Sequence, residues 1–267
     1  MLYLTDDEFK YIVKLMKDFC GVNLIQKRPL IEGRLGNFVT ENGYTNYMDY
    51  FKSLENNPDE LINIVNKLTT NHTYFMRENE HFAFYQDTVL PWIDKTLKTK
   101  DLRVWSAACS SGQEPYTLAL ITQEYLGHAA SQWDSTILAS DISNKVLTQA
   151  KNGVYDLEDV EKMPIEWKTK YFKQIDDKHC QVVDSLKKKI AFRNFNLLDP
   201  FNFKQPFQAI FCRNVMIYFD QPTKEMVVNK HYDALLPGGY FFIGHSESLS
   251  GINHKFKYVS PSIYRKE

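Results

Sequence analysis

Four short polar segments stand where apolar runs of the C-terminal two thirds stop: Ala107-Ala108-Cys109-Ser110-Ser111-Gly112-Gln113-Glu114-Pro115, Ser140-Asp141, Asn196-Leu197 and Arg213-Asn214-Val215. Each carries residue types that suit a nucleoside-like ligand. The first is a run of small side chains ahead of a helix with Pro115 at its start, which lets a ligand come close to the backbone. Asp141 can accept both hydrogen bonds of a ribose diol, although a helix N-cap is the alternative use of an aspartate there. The Asn196 amide can meet a purine edge while Leu197 covers its face. Arg213 and Asn214 stand at the mouth of another strand, ahead of Met216-Ile217-Tyr218-Phe219. The G-x-G-x-x-G fingerprint is absent, but four polar strand ends in one domain support an adenosyl cofactor without choosing its chemistry.

In an open parallel sheet a ligand lies beyond the carboxyl ends of the strands, so these segments require alternating strands and helices behind them. Strand-like runs at residues 102–107 and 136–139 flank an apolar helix over 115–126, and further strands are expected over 190–195, 207–212 and 240–244. A helix over 222–236 leads into a turn at Pro237-Gly238-Gly239, and a final strand near 256–264 completes an antiparallel pair. The first seventy residues read instead as short helices. Thr5-Asp6-Asp7-Glu8 has capping-box spacing, and Phe9, Ile12, Val13, Met16 and Phe19 recur at helical period up to Gly21. A second helix carries Leu30, Ile31, Leu35, Phe38 and Val39; a third, capped by Thr45, carries Met48, Phe51 and Leu54; a fourth opens at Pro58 and carries Leu61, Ile64, Val65 and Leu68. One more helix is expected over residues 78–97.

The 267 residues are 43% hydrophobic and 14% aromatic, enough for one large core or two smaller ones, which excludes a disordered chain. Lys and Arg number 32 against 33 Asp and Glu, so no global field draws the molecule to nucleic acid or anionic lipid, and a charged partner must be met by a local patch. No apolar run approaches the roughly 18 to 20 residues of a membrane span, and the start is acidic where a signal peptide is basic. A soluble cytoplasmic protein without membrane insertion is expected. Cys20, Cys109, Cys180 and Cys212 form no C-x-x-C pair and are expected to be reduced thiols used as small core residues.

The segment Asn71-His72-Thr73-Tyr74-Phe75-Met76-Arg77-Glu78, followed by His81-Phe82, resembles the N-x-T-x-F-F-R-E-x-x-H-F segment of the CheR family of chemotaxis methyltransferases. The run from Trp105 to Tyr116, the stretch from Asn194 to Asp199, and Phe211-Cys212-Arg213-Asn214-Val215-Met216-Ile217-Tyr218-Phe219 resemble the same family in the same order. The resemblance covers nearly the whole chain. It implies an α/β fold: a class I, Rossmann-like S-adenosylmethionine-dependent methyltransferase domain preceded by a small all-α domain. The expected boundaries are a receptor-recognition domain over 1–70, a linker and helix over 71–100 and a cofactor-binding domain over 101–267, with a small antiparallel subdomain near 172–190. Position by position, the resemblance implies that Asn71, Thr73 and Arg77 lie over the cofactor, with Arg77 placed for its carboxylate. Glu114 and Asp141 would share its amino-acid and ribose portions, Asn196 and Leu197 would border the adenine, and Arg213 and Asn214 would close the floor. Arg77 and Tyr218 are the candidates for orienting an incoming carboxylate.

The activity implied is methyl transfer to glutamate side chains of chemoreceptors, giving methyl esters and S-adenosylhomocysteine. The partner would be the acidic methylation helix of a receptor, met by Lys27, Arg28 and Arg34 on the second helix. Residues 1–70 hold eight Lys and Arg against ten Asp and Glu, so only a local patch can steer. The segment over 172–186 is shorter than in family members that dock a receptor's C-terminal pentapeptide, so the resemblance implies action without that tether; a monomer is expected. Two alternatives stay open. One is a class I methyltransferase for another acidic protein; the other is a module that senses S-adenosylmethionine against S-adenosylhomocysteine without turnover, which the intact linker motif and Tyr218 argue against. Nucleic acid is disfavoured because Arg213-Asn214-Val215-Met216 stands where N-P-P-Y or D-P-P-Y would mark base methylation. Gly244-His245-Ser246-Glu247-Ser248 lacks the last glycine and the strand-to-helix setting of a nucleophile elbow. The seven histidines show no metal-ligand spacing, so no metal is expected.

Overall fold

The structure, a computed structural model, describes residues 2–69, 72–97 and 99–267. Asn71 lies outside the described residues. The N-terminal unit is built from α1 (Asp6–Cys20), α2 (Arg28–Glu41), α3 (Tyr47–Ser53) and α4 (Pro58–Leu68). The capping box at Thr5 is present, and Gly21 closes α1 in the left-handed conformation at φ 79°. The second oxygen of Glu8 accepts the N–H groups of Tyr47 and Met48 at 2.8 and 3.1 Å, so one buried carboxylate anchors two helix starts. The cap of α3 is Asn46 rather than Thr45, because it is Asn46 whose extended backbone aims its side chain at the Asp49 N–H, 2.8 Å away. Ile12, Met16, Ile31, Leu35, Val39, Phe51 and Ile64 are fully buried between these helices.

The helix expected over 78–97 forms as α5 (Asn79–Phe84) and α6 (Leu90–Thr96), joined without a break by a π-helical turn at Tyr85–Val89. The elements that follow are β1 (Val104–Ala107), α7 (Gln113–Leu126), β2 (Ile137–Asp141), α8 (Asn144–Asn152), β3 (Val154–Asp156), α9 (Ile165–Tyr171), β4 (Phe172–Gln174) and β5 (His179–Val182). Then come α10 (Asp184–Lys187), β6 (Ile190–Asn194), β7 (Phe207–Cys212), α11 (Gln221–Ala234), β8 (Leu235–Phe242), β9 (Lys257–Ser260) and β10 (Ile263–Arg265).

The main sheet runs β6-β2-β1-β7-β8-β10-β9, parallel from β6 to β8 and antiparallel through β10 and β9. Every residue of β1 and β7 is buried, as expected for central strands covered on both faces. Strand order reverses between β1 and β7, which places the switch point at their carboxyl ends. Three expectations need correction. The final strand is a hairpin, β9 and β10, because the chain reverses at Pro261-Ser262 with Ser262 at φ 60°. Pro237-Gly238-Gly239 is no turn but a bulge inside β8: pairing slips from Phe207 opposite Leu235 to Ala209 opposite Tyr240. Gly239 has no room there for a side chain, since an added Cβ would stand 2.8 Å from the Leu236 carbonyl oxygen. The small antiparallel sheet, ordered β3-β5-β4, starts at Val154 and ends at Val182 instead of occupying 172–190, because its first edge strand follows α8 directly.

The helical unit is fastened to the sheet domain next to the switch point. Val22 bridges Phe219, the Asn23 N–H donates to the Tyr218 carbonyl at 2.7 Å, and Lys17 pairs with Asp220 at 2.6 Å. On the other side Asn66 donates to Ser143 Oγ at 3.0 Å. These contacts set the end of α1 and the end of α4 against the loops after β7 and β2.

Candidate functional site

A cleft opens at the carboxyl ends of β1, β2, β6 and β7, between those loops and the linker of residues 72–77. The loop after β1 makes its innermost wall. Ala108 and Ser110 take left-handed φ values of 60° and 50°, and Gly112 takes 99°, so the chain coils tightly before entering α7. An added Cβ on Gly112 would stand 2.8 Å from the Ala150 Cβ and 2.9 Å from the Tyr155 hydroxyl, which is why only glycine fits there.

Asp141, at the end of β2, lines the cleft and is already engaged on one side. Its Oδ2 accepts the Ser110 N–H and its Oδ1 accepts the Ser143 N–H, each at 2.9 Å. The carboxylate thus organises the loop after β1 and the start of α8 at once, with lone-pair capacity left for a ligand's donor. Burial raises its pKa, against the lowering effect of those N–H groups. Asn196 and Leu197 also line the cleft. The Asn196 amide, however, donates to the Phe19 carbonyl at 2.7 Å and its oxygen accepts the Leu198 N–H at 3.0 Å. The side chain expected on a purine edge therefore ties the end of α1 to the sheet, while Leu197, Ile142 and Phe195 supply apolar surface.

Arg213 also lines the cleft and is at the same time a node. Its side chain is 3% exposed and is shared between two acids, Glu78 at 2.9 Å and Glu114 at 3.0 Å, with a further bond to the Arg77 carbonyl. Glu114 also accepts from Ser106 Oγ at 2.6 Å. Burial pushes the Glu114 carboxyl up despite Arg213 and Ser106. Burial acts in the same sense on Glu78, but the Arg213 guanidinium together with the His245 N–H and the Asn214 amide overcomes it and holds that carboxyl below the ordinary range. Asn214, at φ 58°, lies beside Gly244, where an added Cβ would stand 2.3 Å from the Asn214 amide nitrogen.

Thr73, Arg77 and Tyr218 complete the lining. Arg77 donates to the His72 carbonyl at 2.7 Å. Tyr218 sits on the short turn Met216–Tyr218, which Glu247 supports from beneath: its carboxylate accepts the N–H groups of Gly244, Asn214 and Met216 at 2.6, 2.9 and 2.7 Å. Glu247 leaves no mark in the sequence: its segment resembles only an incomplete nucleophile elbow, and a lone glutamate after a strand carries no periodic signal. Cys20, Val22, Val65 and Asn66 also line the cleft, brought there by packing of the helical unit that no local pattern marks.

The three basic residues expected to face a partner are not in the cleft, and two have acceptors within their own unit. Arg28 bonds the Leu4 carbonyl at 2.8 Å and pairs with Asp6, while Arg34 donates to the Lys67 and Thr69 carbonyls at 3.0 and 3.2 Å. Lys27 is exposed at the start of α2. Cys20 and Cys109 line the cleft as buried free thiols, and burial raises both, Cys20 to about 11, so neither is an activated nucleophile.

As a donor set, the cleft offers a guanidinium from Arg77, carboxylates from Asp141 and Glu114, tightly coiled backbone and an apolar slot. These fit the carboxylate, ammonium, ribose and base of an adenosyl amino acid. A family model described as the all-alpha domain of CheR methyltransferase matches residues 7–69, and one described as its SAM binding domain matches residues 71–265. A chemotaxis protein methyltransferase of Borreliella burgdorferi is 39% identical over 98% of this chain and 95% of its own length. Chemotaxis protein methyltransferase 2 of Pseudomonas aeruginosa is 35% identical over 98% and 94%, and the chemotaxis protein methyltransferase of Escherichia coli 34% identical over 98% and 92%.

Proposed function

The chain belongs to the CheR methyltransferase family, and from that membership we propose that it esterifies glutamate side chains on the cytoplasmic methylation helices of chemoreceptors. It is an S-adenosylmethionine-dependent chemotaxis protein methyltransferase. The observation that carries the reading is the convergence of Arg77, Glu114, Asp141 and Tyr218 on one cleft at the switch point. When bound, S-adenosylmethionine supplies a methyl group on a sulfonium, whose transfer to a glutamate leaves a methyl ester and S-adenosylhomocysteine.

Asp141 holds the ribose and Arg77 the cofactor's carboxylate; Glu114 faces its ammonium, and Leu197 with Phe195 and Ile142 flanks the base. Thr73 closes the cleft from the linker. No general base is needed, because a glutamate with an ordinary pKa of about 4.3 is already anionic at neutral pH. What the chain must do is align the reacting atoms and exclude water. Alignment of that kind supplies roughly 7 to 11 kcal/mol in favourable intramolecular models. Desolvation of two opposite charges that cancel on reaction acts in the same direction.

Tyr218 orients the incoming carboxylate through its hydroxyl, on a turn held from one side by Asn23 and from beneath by Glu247. Tyr218→Phe is expected to lower kcat about tenfold to a hundredfold, the range for one hydrogen bond to a charged group, with the affinity for S-adenosylhomocysteine unchanged. Unchanged kcat and unchanged KM for the receptor would remove the tyrosine from this role.

Action in the cytoplasm is part of the same reading, and no helix among the described residues is long and apolar enough to cross a membrane. The substrate assignment is tested with receptor cytoplasmic fragments from the same organism and methyl-labelled S-adenosylmethionine. Alkali-labile label, released as methanol, should appear on native fragments and be absent from fragments whose methylation-helix glutamates are alanine. Equal label on both would redirect the assignment to other carboxylates.

A further inference from the structure

Phe75 to Glu78 form a tight turn whose two faces have different tasks. Arg77 lines the cleft; Glu78 does not, and points into the protein beneath it. Both neighbours of Arg77 have left-handed backbone, Met76 at φ 61° and Glu78 at φ 56°. Such conformations persist in residues other than glycine only where the surroundings over-determine them. Here Phe75 is held edge-on between Tyr155 and Phe172 on one side of the turn. On the other side Glu78 Oε2 accepts Arg213 Nη2 and Nε at 2.9 and 3.2 Å, and Oε1 accepts the His245 N–H at 3.1 Å and the Asn214 amide at 3.2 Å. Arg213 also donates to the carbonyl of Arg77 itself.

We propose that Glu78 is a positioning residue for cofactor binding: it fastens the underside of the linker turn to the ends of β7 and β8 and so holds Arg77 over the cleft. The proposal rests on the assignment of Arg77 to the cofactor's carboxylate. It accounts for an acid with both oxygens engaged beside the cleft without lining it. The groups that face Glu78 from every packed element fit the role. Arg213 and Asn214 come from the end of β7, His245 from the end of β8, and His81 from α5, its Nδ1 3.5 Å from Glu78 Oε2. His81 is buried and neutral, its pKa lowered to about 3 first by burial and then by Arg213. Glu78, His81 and His245 bring ligand-type atoms within 4.8 Å of one another, but both Glu78 oxygens already accept hydrogen bonds, Oε2 from the Arg213 guanidinium and Oε1 from the His245 N–H and the Asn214 amide.

The test is a double-mutant cycle on S-adenosylhomocysteine affinity, measured by calorimetry with wild type, Arg77→Ala, Glu78→Gln and the double variant, alongside thermal unfolding of each. Each single change is expected to weaken binding roughly ten- to a hundredfold, the range for a charge-assisted hydrogen bond. The double variant is expected to bind about as weakly as the worse single variant, because removing Glu78 has already released Arg77. A purely structural role would lower the melting temperature and leave the effect of Arg77→Ala intact, so multiplying fold-changes would overturn the proposal. So would wild-type affinity in Glu78→Gln, or weakened binding there with Arg77→Ala silent. If Glu78→Gln does not fold, Glu78→Asp, which keeps the charge but withdraws the oxygens by one methylene, is read by the same cycle. A wild type that binds no S-adenosylhomocysteine would defeat the functional reading itself, which separates that failure from multiplying fold-changes in a protein that binds.

Discussion

Arg213→Met is expected to destabilise the folded protein by about 3 to 5 kcal/mol, the usual cost of leaving buried charges without their partner. Its guanidinium is 3% exposed and stands between two carboxylates whose side chains are 11% and 14% exposed. Methionine fills much of the volume but leaves Glu78 and Glu114 facing each other across an apolar gap. Arg213→Lys should recover only part of the loss, because one ammonium cannot reproduce a fork that reaches Glu78, Glu114 and the Arg77 carbonyl together. The deficit should depend on pH with a definite sign. In the wild type the folded pKa of Glu78 is depressed, so its contribution is present above the unfolded value of about 4.3 and is lost as pH falls through the folded one. Glu114, raised by burial, opposes folding as pH rises above that unfolded value. Without Arg213 both carboxyls are harder to ionise in the fold. The gap between wild type and variant should therefore be smallest at the acid end, below the depressed folded pKa of Glu78, and widen toward neutrality. Urea unfolding at a series of pH values measures it, and a gap that narrows on going from acid to neutral pH would contradict the shared-guanidinium arrangement.

Asp141→Ala should weaken the binding of S-adenosylhomocysteine by roughly a hundredfold or more. Two effects combine. The charged acceptor proposed for the ribose is lost, worth about 1.5 to 3 kcal/mol per hydrogen bond to a charged group. The Ser110 and Ser143 N–H groups also lose their acceptor, so the loop after β1 and the start of α8 are no longer held in register. Asp141→Asn should not be neutral, since an amide offers one acceptor oxygen where two N–H donors converge. Calorimetric titration at a temperature where the variants remain folded checks this, and wild-type affinity in Asp141→Ala would exclude the residue from the cofactor site.

The parts of the site that could be read from the sequence are those where chemistry coincides with a local pattern. Asp141 is legible because it ends an apolar strand, and the 108–114 loop because small residues precede a Pro-opened helix. Thr5 and Glu8 are legible as a capping box, although not that Glu8 also reaches α3. What escaped was long-range. Arg213 meets Glu78 from 135 positions away and Asn196 meets Phe19 from 177, distances at which no periodicity survives. Arg28 and Arg34 can be placed on one helix by their spacing, but their acceptors, the Leu4, Lys67 and Thr69 carbonyls, lie 24 to 35 positions away and leave no mark in a helical pattern. The edge strand β3 and the β9–β10 hairpin are three or four residues long, too short for alternation to mark them.

A crystal structure of the protein with S-adenosylhomocysteine tests most directly that this cleft at the switch point is the methyl-transfer site. Density is expected between the linker and the strand ends, with the ribose on Asp141, the carboxylate on Arg77 and the sulfur open toward Tyr218. Ordered ligand at any other surface, with this cleft empty while binding is measured in solution, would contradict it.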